Sequence, residues 1–167
     1  RLRADHVTAV GQRQSLDLAD GSHVLLNTGS AFSSQIDASQ RVTQLLRGEA
    51  YFDVAKDSSR PFQVAAGPVL ISVRGTAFSV RYLDDTAEVS VERGEIEVHA
   101  RGNDTRIYLI EDDPTILQFV RQTLLQRPSW RLLGHSASLA HACGHALSSS
   151  ANVFLVDLGL PDGRGEE

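Results

Sequence analysis

The residues best equipped for chemistry lie in the C-terminal third, where acidic side chains follow directly on apolar runs. Ile107-Tyr108-Leu109-Ile110 leads into Glu111-Asp112-Asp113-Pro114, and Val153-Phe154-Leu155-Val156 ends on Asp157. Continuous apolar runs of this length, separated by helical segments, mark strands of a parallel sheet buried on both faces. Carboxylates at the carboxyl ends of adjacent parallel strands converge where open α/β sheets bind ligands. Hard oxygen donors of this kind suit Mg²⁺, which prefers a near-octahedral shell and keeps several waters. The competing reading is helix capping. Asp113 suits an N-cap with Pro114 at the first helical position, and acids are favoured near a helix N-terminus.

Other candidate sets carry less. His141 and His145 share one helix face at i, i+4, but Cys143 points elsewhere on that helix and no fourth ligand is evident, so no soft-metal site is expected. His6, His23 and His99 sit on separate segments at scattered spacings. The N-terminal part offers no nucleophile with a base and an orienting group, so no enzyme activity is expected there.

Two different patterns position these residues. From Arg106 onward the chain reads β-α-β-α-β. Ile107–Ile110 is the first strand, and Ile116, Val120 and Leu124 form an apolar stripe on a helix that Pro128 ends. Trp130–Leu133 is a short second strand, Leu139–Leu147 a second helix and Val153–Val156 a third strand. Residues 5 to 100 instead alternate with a period of two between turns. Leu16 and Leu18 precede the Asp20-Gly21 turn, and His23–Asn27 returns. Ala50, Phe52 and Val54 oppose Glu49, Tyr51 and Asp53, and Val69, Ile71 and Val73 alternate again, as do Phe78, Val80 and Tyr82. Asp84-Asp85 turns into Val89 and Val91, and Arg93-Gly94 into Ile96 and Val98. Turns about ten residues apart predict an all-β sandwich, roll or solenoid-like stack. The glycines read as turns and bulges, and Glu49, Arg60 and Arg74 as solvated charges on a strand face.

Both parts resemble known families. Leu18-Ala19-Asp20-Gly21-Ser22 with Leu26-Asn27-Thr28 is similar to the opening of the FecR-type domain. Arg47–Val54, Arg60-Pro61-Phe62-Gln63-Val64, Val73–Val80 and Val91-Glu92-Arg93-Gly94-Glu95 follow its later blocks in order. That resemblance implies a periplasmic binding module without chemistry of its own. It would relay a signal from the signalling domain of an outer-membrane TonB-dependent transporter to an extracytoplasmic-function sigma factor.

The segment 106–167 resembles the first half of a response-regulator receiver, through Ile110–Pro114 and Val156-Asp157-Leu158-Gly159-Leu160-Pro161-Asp162-Gly163. By that resemblance Asp157 is the phosphoacceptor for a histidine kinase, and Asp112 binds Mg²⁺ directly. Glu111 acts largely through water, and Asp157 and the Gly159 carbonyl complete the protein's share of the metal shell. The family's later strands supply a hydroxyl residue and a lysine. The only lysine here is Lys56, in the β-rich part, so a working phosphorylation switch is not expected.

Composition sets outer limits. A 167-residue chain with 41% hydrophobic residues is globular, and a net charge of −5 gives no general attraction to nucleic acid or anionic lipid. No apolar run reaches the ~20 residues needed to span a bilayer. Cys143, alone, forms no internal disulfide, and Arg1 in place of Met suggests that the parent began earlier. The expected organisation is a FecR-type domain over 1–100, a seam over 101–105 and an incomplete receiver over 106–167. The first part implies a periplasmic location and the second a cytoplasmic one. A joined chimera is therefore the first reading, and a natural fusion with Mg²⁺-dependent phosphoacceptor chemistry the alternative. Because the truncated sheet leaves one edge of Val153–Val156 bare, that edge is expected to pair with another copy or with a strand of the β-rich part.

Overall fold

A computed structural model of the chain describes residues 3–102, 105–110, 130–136 and 151–157. The strands are β1 (His6–Val7), β2 (Gln14–Asp17), β3 (His23–Leu26), β4 (Ala31–Ile36) and β5 (Arg41–Asp53), followed by β6 (Phe62–Ala66), β7 (Val69–Val73), β8 (Ala77–Leu83) and β9 (Thr86–Arg93). Then come β10 (Glu97–Ala100), β11 (Thr105–Ile110), β12 (Trp130–Ser136) and β13 (Val153–Asp157). Every described element is a strand, as the alternation over the first hundred residues predicts. The expected helices, after Pro114 and over Leu139–Leu147, lie outside the described residues.

The fold is organised by β5, which is 13 residues long and serves two faces of one curved sheet. Its first turn of ladder, Arg41–Gln44, runs parallel to β6 and pairs on the other side with β4. From Gly48 it pairs antiparallel with β8, and its last residues also pair with β3. The change of partners falls at Gly48, whose φ of +93° is accessible to glycine and strained for other residues. A β-carbon there would lie 2.3–2.7 Å from the Oγ, Cα and Cβ of Ser30. Ser30 fills that space on purpose: its Oγ accepts from the Glu49 N–H at 2.9 Å and donates to the Glu49 carbonyl at 3.0 Å. Gly48→Ala combines backbone strain with overpacking and should destabilise the chain by about 3 kcal/mol in urea denaturation. A loss below about 1 kcal/mol would show that Ser30 can give way.

The two faces close on an aromatic centre. Phe52 of β5 stacks on Phe78 of β8 at 5.0 Å and meets Phe32 of β4 at 5.9 Å and Phe62 of β6 at 6.0 Å. All four are fully buried, with Leu26, Leu45, Val64, Val69 and Ile71 around them. The predicted hairpins are present. β2 and β3 pair around Asp20-Gly21, and β8 and β9 around Asp84-Asp85, where φ values of 52° and 60° give the turn whose twist suits a two-residue hairpin.

One face continues into the C-terminal segment. Beyond β9 the order is β13, β11, β12, all parallel. Val153–Asp157 pairs with Ala87–Val91, and Ile107–Ile110 with Val153–Val156. Ile107 and Val153 are fully buried in the same core as Phe52 and Val89, with Leu155 packed on its margin. Tyr108, Ile110 and Val156 are buried on the opposite face beside Phe154, whose ring lies 6.0 Å from that of Tyr108. Burial on both faces is what a continuous apolar run requires. Of the two expected fates of the Val153–Val156 edge, the structure has the second. β9 covers it within the chain, so both edges of β13 are paired and self-association through this edge has no open strand to use.

Candidate functional site

The largest concentration of polar contacts surrounds Arg41, a fully buried guanidinium. It donates from Nη1 to Asp20 Oδ2 at 3.0 Å and to the Ala55 carbonyl at 2.8 Å, and from Nε to the Arg60 carbonyl at 2.8 Å. Nη2 donates to the carbonyls of Asp57 and Arg60. All five N–H groups are thereby used, and the cation lies 5.6 Å from the Phe62 ring centre. Nothing is left over for a ligand, so Arg41 is a structural tie.

It laces together turns of a common type. In Asp20-Gly21-Ser22, Asp37-Ala38-Ser39 and Asp57-Ser58-Ser59 the aspartate accepts both the N–H and the hydroxyl of the serine two residues on. Arg60 binds Asp57 at 2.8 Å and the Asp37 carbonyl, and is thus a partly buried tie rather than a solvated strand charge. Burial pushes the Asp20 carboxyl up, but its bonds from Ser22 and Arg41 outweigh that and hold it below its ordinary value. The Ser59 hydroxyl, then Arg60, hold Asp57 well below the usual carboxylate range.

The acidic set singled out in the C-terminal part is placed only by its strands. Ile110 ends β11 in register with Val156, and Asp157 is the last residue of β13, in register with Val91. Glu111, Asp112 and Gly159 lie outside the described residues, as do His141, Cys143 and His145. Among the described residues no group of histidine, cysteine, aspartate and glutamate side chains could hold a metal ion, and no helix is long and apolar enough to cross a membrane.

The described surface does contain a cleft of about 530 Å³, lined by Lys56, Ser58 and Arg74 on one side and Arg93, Glu95 and Glu97 on the other. Backbone geometry explains why it is there. Pairing of β10 with β7 begins at Glu97↔Ser72. Below that pair the chains splay until the Thr76 hydroxyl donates to the Glu95 carbonyl at 2.7 Å. Val73 and Ile96 line the opening between these two ties. Gly94, at φ +92°, makes the turn into that wall, and a β-carbon there would meet Thr76 Oγ1 at 3.0 Å. The Val54–Asp57 segment is held alongside by bonds from Val54 N to Thr76 O and from Asp57 N to Arg74 O. Lys56 is thereby set over Gly75.

The blocks Val73–Val80 and Val91–Glu95, picked out in the sequence, thus converge on one cleft. Lys56, Ser58 and Glu97 were not singled out there, because nothing local marks them as neighbours. On the outer sheet face, Tyr51 donates to Glu92 at 2.8 Å, and burial with that partner pushes its hydroxyl up to about 12.

Comparison with known proteins agrees with this architecture. The family model described as FecR protein matches residues 4–97, which take in the aromatic core, the Arg41 tie and all the lining residues of the cleft. Two crystal structures of a protein from Parabacteroides distasonis ATCC 8503, described as a candidate anti-sigma factor, are similar at 29% sequence identity. Their TM-scores are 0.54 and 0.53, and each match covers 57% of this chain and 46% of that one. The chain thus spans about half the length of the solved structures it matches. No curated protein matches it. On the ordered blocks, the all-β fold and the match over 4–97, the chain belongs to the FecR protein family.

Proposed function

We propose that this chain is a signal-relay module of a sigma-factor regulatory system, acting by binding rather than by catalysis. The observation that carries the reading is the family match over 4–97 together with the likeness to the candidate anti-sigma factor. In the finer form of the proposal the module works in the periplasm. It takes a signal from the signalling domain of a TonB-dependent outer-membrane transporter and passes it towards an extracytoplasmic-function sigma factor. Deleting the codons for residues 4–97 in the source organism should change transcription of a discrete sigma-dependent gene set, read by RNA sequencing. An unchanged transcriptome under conditions that induce the transporter would overturn it.

A second reading applies to 106–167 alone. The parallel order β12-β11-β13 is the order 2-1-3 with which a doubly wound receiver sheet opens, and it supports reading this segment as the first half of a receiver joined to the FecR-type part. Phosphoryl transfer depends on preorganised positive charge around the phosphoryl oxygens. The family's lysine has no counterpart in 106–167, since Lys56 is the only one in the chain. Acetyl phosphate with Mg²⁺ should therefore add no phosphoryl mass to the intact protein. A stoichiometric adduct lost in Asp157→Ala would establish Asp157 as a phosphoacceptor and make a histidine kinase the partner to test next.

A further inference from the structure

We propose that the cleft between Lys56–Ser58 and Glu95–Glu97 is a docking site for an extended, acidic segment of a partner protein. The electrostatic case rests on Lys56 and Arg74. Both are exposed, and among the described residues neither has a carboxylate partner: Arg74 donates only to the Ser58 carbonyl, and Lys56 has no side-chain hydrogen bond or ion pair. In a chain of net charge −5, this is a locally basic wall set against the sign of the whole. Carboxylates of an incoming chain would meet it at little desolvation cost, because both cations sit at the surface and keep much of their hydration when paired.

The shape points to a peptide. At about 530 Å³ the cleft falls inside the ~300–1,000 Å³ usual for ligand sites, but such sites are mostly apolar when they hold small molecules. Here only Val73 and Ile96 are apolar among the lining residues, and hydroxyls and charges make up most of the rest. Val73 turns its side chain into the core, so half-buried Ile96 is the apolar side chain between the charged walls. That suits an extended segment that sets an apolar residue between acidic ones. The splayed backbone between the Ser72–Glu97 and Thr76–Glu95 ties lies beside such a segment, in the manner of strand addition. Glu95 on the far wall then sets direction and register, because acids must fall on the Lys56–Arg74 side.

Fluorescence anisotropy with a labelled Val-Glu-Val-Asp-Val-Glu peptide tests this on the full chain. Saturable binding that weakens with added salt is expected, and Lys56→Glu with Arg74→Glu should weaken it by about tenfold or more. Arg47→Glu, on an exposed residue of β5, should leave it unchanged. Because Lys56 is the only lysine, its acetylation in intact protein reports the same cleft and should slow when the peptide is present. Both substituted residues are exposed, so the circular dichroism spectrum should not change. Equal binding of the matching lysine peptide, unchanged affinity in the double variant, or no binding at millimolar peptide would each overturn the proposal. The measurement involves no transporter or sigma factor, so its failure leaves the regulatory reading standing, and a failed transcription test leaves the cleft standing.

Discussion

Replacing Arg41 with methionine should destabilise the chain by about 3–5 kcal/mol at pH 7, the usual loss when one member of a buried ion pair is removed. Both side chains of the Arg41–Asp20 pair are wholly shielded from solvent. Methionine fills much of the volume over Phe62 but leaves the Asp20 carboxylate buried with only Ser22 as partner. It also strands the carbonyls of Ala55, Asp57 and Arg60. The effect should depend on pH in a definite direction. In the parent the Asp20 carboxyl is held below its ordinary value, so the stability it contributes is present above that value and is lost as pH falls through the folded one. In the variant the bonds and charge of Arg41 that help hold the carboxyl down are gone, so its folded value lies above that of the parent and acid relieves the stranded charge sooner. Urea midpoints of parent and variant should therefore converge between pH 7 and about pH 3. Asp20→Asn added to Arg41→Met should recover part of the loss at pH 7. A loss below about 1 kcal/mol, or one that is the same at both pH values, would show that the pair is not the tie its geometry implies.

Val153→Asp should release the C-terminal strands from β9 while the core between β3 and β9 persists. Val153 is fully buried and sits in register with Ala87. An unpaired carboxylate at that position costs several kcal/mol, on the order of 3–5, more than a short strand of five residues regains by pairing. Hydrogen exchange read by mass spectrometry should show lost protection over Thr105–Ile110 and Val153–Asp157, with β5 and β8 still protected. Persistent protection over Val153–Asp157 would overturn the β9–β13 pairing. Loss of protection everywhere would mean that the shared core, which includes Ile107, binds the whole sheet into one cooperative unit.

Much of the β-rich part was legible locally, because the signals that carry it are local. The Asp20-Gly21 and Asp84-Asp85 turns, the alternation of Val69, Ile71 and Val73, and the two-sided apolar run at Ile107–Ile110 each depend on neighbours within a few residues. Each is found as read. The ordered blocks that resemble the FecR family lie within the matched span 4–97. Three features needed the tertiary structure. Apolar Val42 is exposed while its charged neighbour Arg41 is buried, the reverse of what hydrophobicity favours. A guanidinium can occupy that position only because carbonyls from Ala55, Asp57 and Arg60 and the Asp20 carboxylate arrive there from other segments. Gly48 reads as a turn or bulge, and whether β5 continues through it depends on Ser30 filling the space opposite. The partner of Val153–Asp157 is likewise a matter of which open edge lies nearest in space, and strand patterning is silent on pairing between distant segments. The cleft shares this origin, since Lys56, Arg74 and Glu95 become neighbours only when the β7–β10 ladder ends short of the Thr76–Glu95 tie.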